Sequence, residues 1–219
     1  MLSQKDAIVA TLLKSFAGAK GAAEPYPHWF CSDCLPPDAL AETLALPFPA
    51  PALGGISGKR EVHNATRRYF DAENMGKFAV CNNINAALQD KRVTDAIEKT
   101  FSTKLGGTYL RVEFAQDTNG FWLEPHTDLG VKSFTFLIYL SPEPSHANLG
   151  TDIYDADKKH VGRSPFKPNA AMIFVPSSNT YHGFESRPID GVRKSLVINF
   201  VTNDWRAREQ LAYPETPVA

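Results

Sequence analysis

Three residues have the types and spacing needed to hold one transition-metal ion: His126, Asp128 and His182. His126 and Asp128 are separated by one residue, and His182 follows His126 by 56 positions. On an extended strand, residues i and i+2 point to the same face, so the first two side chains can reach one ion. Two imidazoles and one carboxylate bind mononuclear Fe(II) on one face and leave other positions open. The sequence therefore predicts an Fe(II) site.

A second polar pair, Arg193 and Ser195, follows the distal histidine. It opens the last apolar run of the chain, and on a strand the two residues share a face from which Lys194 points away. A guanidinium binds a carboxylate through two parallel hydrogen bonds, and a hydroxyl two residues further on can donate another. The pair predicts an anchor for a carboxylate group near the metal.

The first half of the chain, which precedes these residues, has helical patterns. Apolar residues recur at helical spacing from Ser3 to about Ala17, and the segments 38–46 and 86–101 are also predicted to be helices. Residues 47–59 are rich in proline and glycine and are predicted to form a loop. We expect a helical extension over residues 1–22, followed by a single domain over residues 23–219.

After Gly107 the pattern changes to short β-prone runs separated by polar turns. The predicted strands are Thr108–Phe114, Gly120–His126, Ser133–Leu140, Thr151–Tyr154, Ala171–Val175, Tyr181–Glu185 and Lys194–Val201. Many short strands with polar turns between them indicate a sandwich or barrel. We expect residues 107–202 to form two facing antiparallel sheets, with the helices packed outside.

The composition restricts the range of partners. The chain has 219 residues, of which 43% are hydrophobic and 21% charged, typical of one ordinary globular domain. It carries 23 basic and 24 acidic residues, so no basic surface for nucleic acid or an anionic membrane is predicted. Three cysteines, an odd and low number, argue against an oxidising compartment. We expect a cytoplasmic protein that binds neither nucleic acid nor membrane.

The spaced set of polar residues resembles the 2-oxoglutarate/Fe(II)-dependent dioxygenase superfamily, and most nearly its prolyl-hydroxylase-like branch. The resemblance rests on His126-Thr127-Asp128, on His182, and on Arg193 with Ser195, and it covers residues 107–202. The run from Thr135 to Leu140 is similar to the family strand that supplies polar contacts to the co-substrate. Within it, Thr135 and Tyr139 are four positions apart and share one face of the strand.

The resemblance implies a mainly β fold, a double-stranded β-helix (jelly roll) with flanking N-terminal helices. It implies Fe(II) as the metal and 2-oxoglutarate as the co-substrate, whose 5-carboxylate pairs with Arg193, assisted by Ser195. Tyr139 and Thr135 are implied as further polar contacts to the co-substrate. The implied reaction uses O₂, releases succinate and CO₂, and hydroxylates an unidentified small-molecule or peptidyl substrate.

Two other functions are compatible with parts of the pattern. The first is an iron oxidase or a metallohydrolase that uses the same three ligands without 2-oxoglutarate. Arg193 and Ser195 argue against it, because such an enzyme needs no carboxylate anchor at that place. The second is a non-catalytic jelly-roll module that binds a ligand. The presence in one chain of all five polar residues of the motif argues against it, namely His126, Asp128, His182, Arg193 and Ser195. Binding of iron and 2-oxoglutarate, with formation of succinate, separates the three functions.

Overall fold

A computed structural model of the chain describes residues 2–51, 58, 67–128 and 130–219. The helices in these ranges are α1 Gln4–Ala17, α2 Pro37–Leu44, α3 Ala72–Lys77, α4 Ala79–Leu88 and α5 Lys91–Phe101. None of these described helices has the length and apolar character needed to cross a membrane. Of the predicted loop over residues 47–59, residues 52–57 and 59 lie outside the described residues.

The first two predicted helices are confirmed. Helix α1 begins after Ser3, whose Oγ accepts the backbone N–H of Asp6 at 3.1 Å. This contact satisfies one of the donors that a helix start leaves without a partner. Helix α2 begins with Pro37. Proline lacks a backbone N–H, but at the first position of a helix this group would have no partner within the helix. The helix covers most of the predicted segment 38–46.

The prediction of one continuous helix over residues 86–101 is wrong. Helix α4 starts earlier and ends at Leu88, and α5 starts at Lys91. The break lies at Asp90, whose side chain accepts the backbone N–H of Arg92 at 3.1 Å and so caps the start of α5. The apolar residues keep their helical spacing across the break, so the periodicity of the sequence predicted one helix where there are two.

The strands in the described ranges form two antiparallel sheets. They are β1 Lys20–Ala22, β2 His28–Cys31, β3 Arg68–Tyr69, β4 Tyr109–Asp117, β5 Leu123–His126, β6 Lys132–Tyr139, β7 Asp152–Tyr154, β8 His160–Arg163, β9 Ala171–Phe174, β10 His182–Phe184 and β11 Arg193–Val201. The seven-stranded sheet has the order β1-β2-β9-β6-β11-β4-β3, and the four-stranded sheet has the order β5-β10-β7-β8. All described pairings are antiparallel. The expected antiparallel β structure with several helices is confirmed.

Each of the predicted strand runs contains a strand, whereas β1, β2, β3 and β8 were not predicted. These four strands have two to four residues each. Length alone does not explain the difference, because β7 and β10 have only three residues each and lie within predicted runs. Of the four, only β3 pairs with a long strand, the nine-residue β4, whereas β1, β2 and β8 pair with strands of three or four residues.

The seven-stranded sheet has one apolar face and one polar face, as strand β6 illustrates. Phe136 and Ile138 lie in the main core cluster together with Phe16 of helix α1. The alternating residues Thr135 and Tyr139 line a cavity on the opposite face. Because side chains alternate along a strand, the same sheet packs on helices with one face and encloses a polar interior with the other.

A second apolar cluster joins the two sheets. Tyr139 and Phe174 come from the seven-stranded sheet, and Ile153 and Phe184 come from the four-stranded sheet. All four side chains are buried. The sheets therefore pack face to face through this cluster, which also contributes Tyr139 and Phe184 to the lining of the cavity.

Helix α1 belongs to the main core. Ile8, Leu12 and Phe16 are buried there, and the ring of Phe16 lies 5.4 Å from that of Phe101 on α5. The predicted separation of residues 1–22 as an extension stays a prediction.

Replacing Phe16 with alanine tests whether α1 supports the core. Loss of a buried phenylalanine leaves a cavity, so Phe16→Ala should lower the free energy of unfolding by about 3–5 kcal/mol. Leu2→Ala in the same segment is the matched control, because Leu2 is 72% exposed and should change stability by less than about 0.5 kcal/mol. The measurement is urea denaturation followed by circular dichroism. Equal, small effects from both variants would mean that α1 folds independently of the domain.

Candidate metal centre

The three predicted metal ligands come together at one place in the structure. His126 ends β5, Asp128 follows it by two residues, and His182 begins β10 as the cross-strand partner of His126. The Nε2 atom of His126 is 3.9 Å from Asp128 Oδ1, and the Nε2 atom of His182 is 3.7 Å from Asp128 Oδ2. One ligand atom from each residue lies within 4.8 Å of the other two. The strand pairing thus brings residues 56 positions apart into one cluster.

Both imidazole rings are oriented through their Nδ1 atoms. Nδ1 of His126 lies 2.9 Å from the carbonyl oxygen of Glu124, and Nδ1 of His182 lies 3.0 Å from that of Thr180. A carbonyl oxygen only accepts hydrogen bonds, so Nδ1 must carry the proton in each neutral ring. The Nε2 atoms then present lone pairs, as metal-binding histidines require.

Burial keeps the His182 ring neutral. Removal from water, and then the nearby His126, lower the pKa of His182 to about 3. A group that is neutral in the folded protein over the usual pH range can bind a metal without first losing a proton. Two neutral imidazoles and a carboxylate form a donor set that fits Fe(II).

Hydrogen bonds also hold the carboxylate of Asp128. Lys132 Nζ donates to Oδ1 at 2.7 Å, and Thr135 Oγ1 donates to Oδ2 at 3.1 Å. Asn199 in turn donates to the Thr135 hydroxyl at 3.1 Å, and Arg111 donates to the Asn199 carbonyl oxygen at 3.1 Å. The sequence pattern predicted Thr135 as a contact to the co-substrate, and the structure also gives it a contact with a predicted metal ligand.

A cavity of about 80 Å³ connects the metal ligands with the predicted anchor residues. It is large enough for several water-sized groups. All seven residues predicted for the site line it, namely His126, Asp128, Thr135, Tyr139, His182, Arg193 and Ser195. Lys194, predicted to point away from the site, donates instead to the carbonyl oxygen of Leu44 at 3.3 Å. The predicted register of β11 is therefore correct.

Arg193 lies at the far side of this cavity and is held by two protein groups. Its Nε donates to the carbonyl oxygen of Leu149 at 2.7 Å, and its NH1 group donates to the carboxylate of Asp117. Asp117 is the cross-strand partner of Arg193 on β4, and both residues are buried. Asp117 was not among the residues predicted for the site. A signal for it exists, because Arg111, Glu113 and Asp117 fall on the same face of β4, at spacings of two and four residues.

Ser195 and Tyr139 lie beside Arg193. They are cross-strand partners on β11 and β6, and the Arg193 guanidinium carbon is 5.9 Å from the Tyr139 ring centre. The Tyr139 hydroxyl donates to Thr151 Oγ1 at 2.9 Å and also hydrogen-bonds to Ser164. The predicted anchor residues thus form one polar group at the end of the cavity opposite the histidines.

A second ionic cluster lies around Asp152 of β7. In the structure Asp152 is fully buried and accepts hydrogen bonds from Arg187 NH1 at 2.6 Å and Arg163 Nε at 2.5 Å. Burial alone would raise the pKa of Asp152, but these guanidinium groups and the backbone N–H of Glu185 hold it below its usual value. The positive charges of these two arginines already balance the Asp152 carboxylate. The cluster therefore stabilises the packing of the strands and is not a cation site.

The comparisons with known proteins find likeness at the level of structure. No protein-family model and no curated protein matches the chain. A Pseudomonas putida prolyl-4-hydroxylase has a TM-score of 0.55 at 17% identity, covering 89% of this chain and 93% of that one. A Trichoplax adhaerens prolyl hydroxylase, in complex with a hypoxia inducible factor oxygen degradation domain peptide fragment, has a TM-score of 0.59 at 14% identity, with coverages of 93% and 91%.

A third solved structure extends the likeness beyond the prolyl hydroxylases. It is an oxidoreductase of the 2OG-Fe(II) oxygenase family from Burkholderia pseudomallei, with a TM-score of 0.56 at 15% identity and coverages of 92% and 91%. The resemblance that the sequence motifs indicated is confirmed in the overall structure. The chain therefore has the fold of the prolyl-hydroxylase-like 2-oxoglutarate/Fe(II) oxygenases.

Proposed function

We propose that this protein is a 2-oxoglutarate- and Fe(II)-dependent dioxygenase. The observation that carries the proposal is the cavity that joins His126, Asp128 and His182 to the buried guanidinium of Arg193. The overall reaction takes 2-oxoglutarate, O₂ and a substrate C–H group to succinate, CO₂ and a hydroxylated substrate. One oxygen atom enters succinate and the other enters the product, so the reaction balances without a further reductant.

The order of the strands supports a double-stranded β-helix as the scaffold. From β4 to β11, β4, β6, β9 and β11 belong to the seven-stranded sheet, and β5, β7, β8 and β10 belong to the four-stranded sheet. Consecutive strands therefore switch sheets at every step except between β7 and β8. This alternation winds the chain around a common interior, which is the property of a jelly roll.

His126, Asp128 and His182 would hold the iron, which supplies the oxidation chemistry when it is bound. Three protein ligands on one side leave the opposite positions for the co-substrate and O₂. The contribution of the protein is to fix these ligands. Nδ1 of each imidazole donates to a backbone carbonyl oxygen, and both oxygens of Asp128 accept hydrogen bonds. Such outer contacts orient the ligands before the metal arrives.

Arg193 would bind the 5-carboxylate of 2-oxoglutarate, with Ser195 and Tyr139 beside it. The guanidinium is buried, and its attraction to a carboxylate is stronger there than at a wet surface. The end of the cavity at Arg193 then matches the 5-carboxylate of 2-oxoglutarate. The end at the two histidines matches its keto acid, which chelates a metal. An iron oxidase or metallohydrolase would have no use for this buried cation, so Arg193 favours the 2-oxoglutarate-dependent reaction.

The substrate to be hydroxylated is proposed to be peptidyl or a small molecule. The Trichoplax adhaerens protein of the same fold is bound to a peptide fragment, which supports a peptidyl substrate for this chain as well.

Removing one imidazole tests the metal centre. Anaerobic titration with Fe(II), or with Mn(II) as a redox-stable substitute, should give one ion per wild-type chain. His182→Ala should weaken binding by more than about 100-fold, since loss of a ligand exceeds the 10–100-fold cost of losing an outer contact. His160→Ala is the matched control, because His160 lies near Asp152 outside the centre and its loss should leave the affinity unchanged. Undiminished affinity of His182→Ala would contradict the assignment.

Truncating Arg193 tests the co-substrate anchor. Hydrogen bonds to a charged group contribute about 1.5–3 kcal/mol, and a loss of about 3 kcal/mol weakens binding about 150-fold. Calorimetric titration of 2-oxoglutarate into Mn(II)-loaded protein without O₂ should show this loss for Arg193→Ala. Arg193→Lys should restore only part of the affinity, because an ammonium lacks the planar fork.

Lys194→Ala is the control for Arg193, since its side chain is directed away from the cavity. It should leave 2-oxoglutarate binding unchanged, and all three variants should keep their Mn(II) affinity because none removes a ligand. If Arg193→Ala binds 2-oxoglutarate as the wild type does, the anchor is elsewhere and the oxidase or hydrolase function becomes the better explanation.

A further inference from the structure

Arg67 is a second cation of the metal cavity, and the proposed reaction as described above gives it no role. It directly precedes β3 and lines the same cavity as Arg193. Its side chain is 10% exposed, and its NH1 group lies 2.6 Å from Glu113 Oε1. Burial lowers the pKa of Arg67, but the carboxylates of Glu113 and Asp117 outweigh this effect and raise it, so the guanidinium stays charged.

The strand register places Arg67 beside the predicted anchor for the co-substrate. Strand β3 pairs with β4 so that Arg68 lies opposite Phe114. The next pair in this antiparallel register is Arg67 with Ala115, and Ala115 is the cross-strand partner of Ser195 on β11. Neighbouring strands are about 4.8 Å apart, and the methyl side chain of Ala115 leaves room above it for a long side chain. The Arg67 guanidinium can therefore reach toward Ser195.

The charge of Glu113 is already compensated by another arginine. Arg111 NH2 donates to Glu113 Oε2 at 2.7 Å, and the other donors of Arg111 bind Asn199 and Gln210. Arg111 is buried and is not among the residues that line the cavity. The positive charge of Arg111 is thus used inside the protein, and the pairing of Arg67 with Glu113 does not consume the charge of Arg67.

The charge of Arg193 is also compensated within the protein. Its NH1 group donates to the Asp117 carboxylate, and both side chains are buried. Burial raises the pKa of Asp117 against the lowering by Arg193 and Arg67, and at pH 8 the hydrogen bond from the guanidinium keeps the carboxylate ionised. Arg193 can still donate hydrogen bonds to a ligand, but the pair of Arg193 and Asp117 carries no net charge.

One positive charge therefore remains at this end of the cavity. Among the described residues, three guanidinium groups stand against two carboxylates: Arg67, Arg111 and Arg193 against Glu113 and Asp117. A buried charge without full compensation is costly, and an entering anion removes that cost. Of the two arginines that line the cavity, Arg67 is the one whose charge is left over.

We propose that Arg67 supplies the positive charge that the 5-carboxylate of 2-oxoglutarate neutralises, whereas Arg193 supplies the hydrogen bonds that orient this carboxylate. A 2-oxo acid without a second carboxylate would leave the Arg67 charge uncompensated. Arg67 is thus a residue that makes the site specific for a dicarboxylic co-substrate. The inference rests on the proposed function, because it assumes that 2-oxoglutarate enters this cavity.

The experiment is calorimetric titration of 2-oxoglutarate into Mn(II)-loaded protein at pH 8 without O₂. Arg67→Gln keeps a polar side chain of similar shape and removes the charge. Loss of one unit charge at about 6–10 Å from an opposite charge in a protein interior should weaken binding about 10- to 100-fold. Arg67→Lys keeps the charge and should bind 2-oxoglutarate within about fivefold of the wild type, because the proposed role needs a cation and not a planar fork.

A second ligand separates the effect of charge from damage to the cavity. 2-Oxopentanoate has the same chain length and the same metal-chelating end, but a methyl group replaces the 5-carboxylate. Wild type and Arg67→Gln should bind it equally. Arg68→Gln is the matched control for the protein, because Arg68 is exposed and does not line the metal cavity. This variant should bind 2-oxoglutarate as the wild type does.

Three results would overturn the role of Arg67. The first is wild-type affinity of Arg67→Gln for 2-oxoglutarate, and the second is an equal loss of that affinity in Arg67→Gln and Arg67→Lys. The third is a loss of 2-oxopentanoate binding in Arg67→Gln as large as the loss of 2-oxoglutarate binding, which would mean that Arg67 only shapes the cavity. Failure of the wild type to bind 2-oxoglutarate at all is a different result, and it would reject the proposed function itself.

Discussion

The interior between the two sheets has to hold several charged side chains in a place from which most water is excluded. A buried charge is costly unless an opposite charge and hydrogen bonds compensate it. Arg111 pairs with Glu113 at 2.7 Å, Lys132 pairs with Asp128 at 2.7 Å, and Arg193 pairs with Asp117. Three of these groups come from alternating positions of β4, whose other face packs in the main apolar core. Because side chains alternate along a strand, one sheet can carry the main apolar core on one side and the cavity with the proposed site residues on the other.

This requirement for pairing also explains how the proposed metal ligands are held. The carboxylate of Asp128 is fixed by Lys132 and by Thr135, and the Thr135 hydroxyl is fixed by Asn199, which Arg111 holds in turn. Each side chain of this network is a hydrogen-bond partner of the next, so a change at Arg111 would reach Asp128, a proposed metal ligand, through side chains outside the proposed ligand set. A fully satisfied buried network is rigid, and rigidity of the outer contacts is what gives a metal site a defined geometry.

The sequence predicted the parts of the site that depend on local geometry. Spacing along one strand placed His126 with Asp128, and separated Arg193 and Ser195 from Lys194. Among the parts that depend on pairing between distant strands, it predicted the meeting of His182 with His126 and missed others. Asp117 meets Arg193 across 76 positions of sequence, and the buried Asp152 is held by Arg163 and Arg187, 11 and 35 positions away. The single predicted helix over residues 86–101 failed for a local reason, because Asp90 caps a new helix without interrupting the apolar spacing.

Gly183 shows how closely the backbone itself controls the metal centre. A Cβ atom at this position would lie 2.7 Å from the carbonyl oxygen of Leu123 and 3.1 Å from that of Glu124. The first distance is shorter than side chains tolerate, so only glycine allows β10 to approach β5 this closely. The Glu124 carbonyl oxygen also accepts the Nδ1 proton of His126, and His182 directly precedes Gly183. A side chain at residue 183 would therefore push apart the two strands that carry the imidazoles and disturb the contact that orients one of them. The close approach of His126 and His182 therefore depends on the missing side chain at Gly183 as well as on the two histidines.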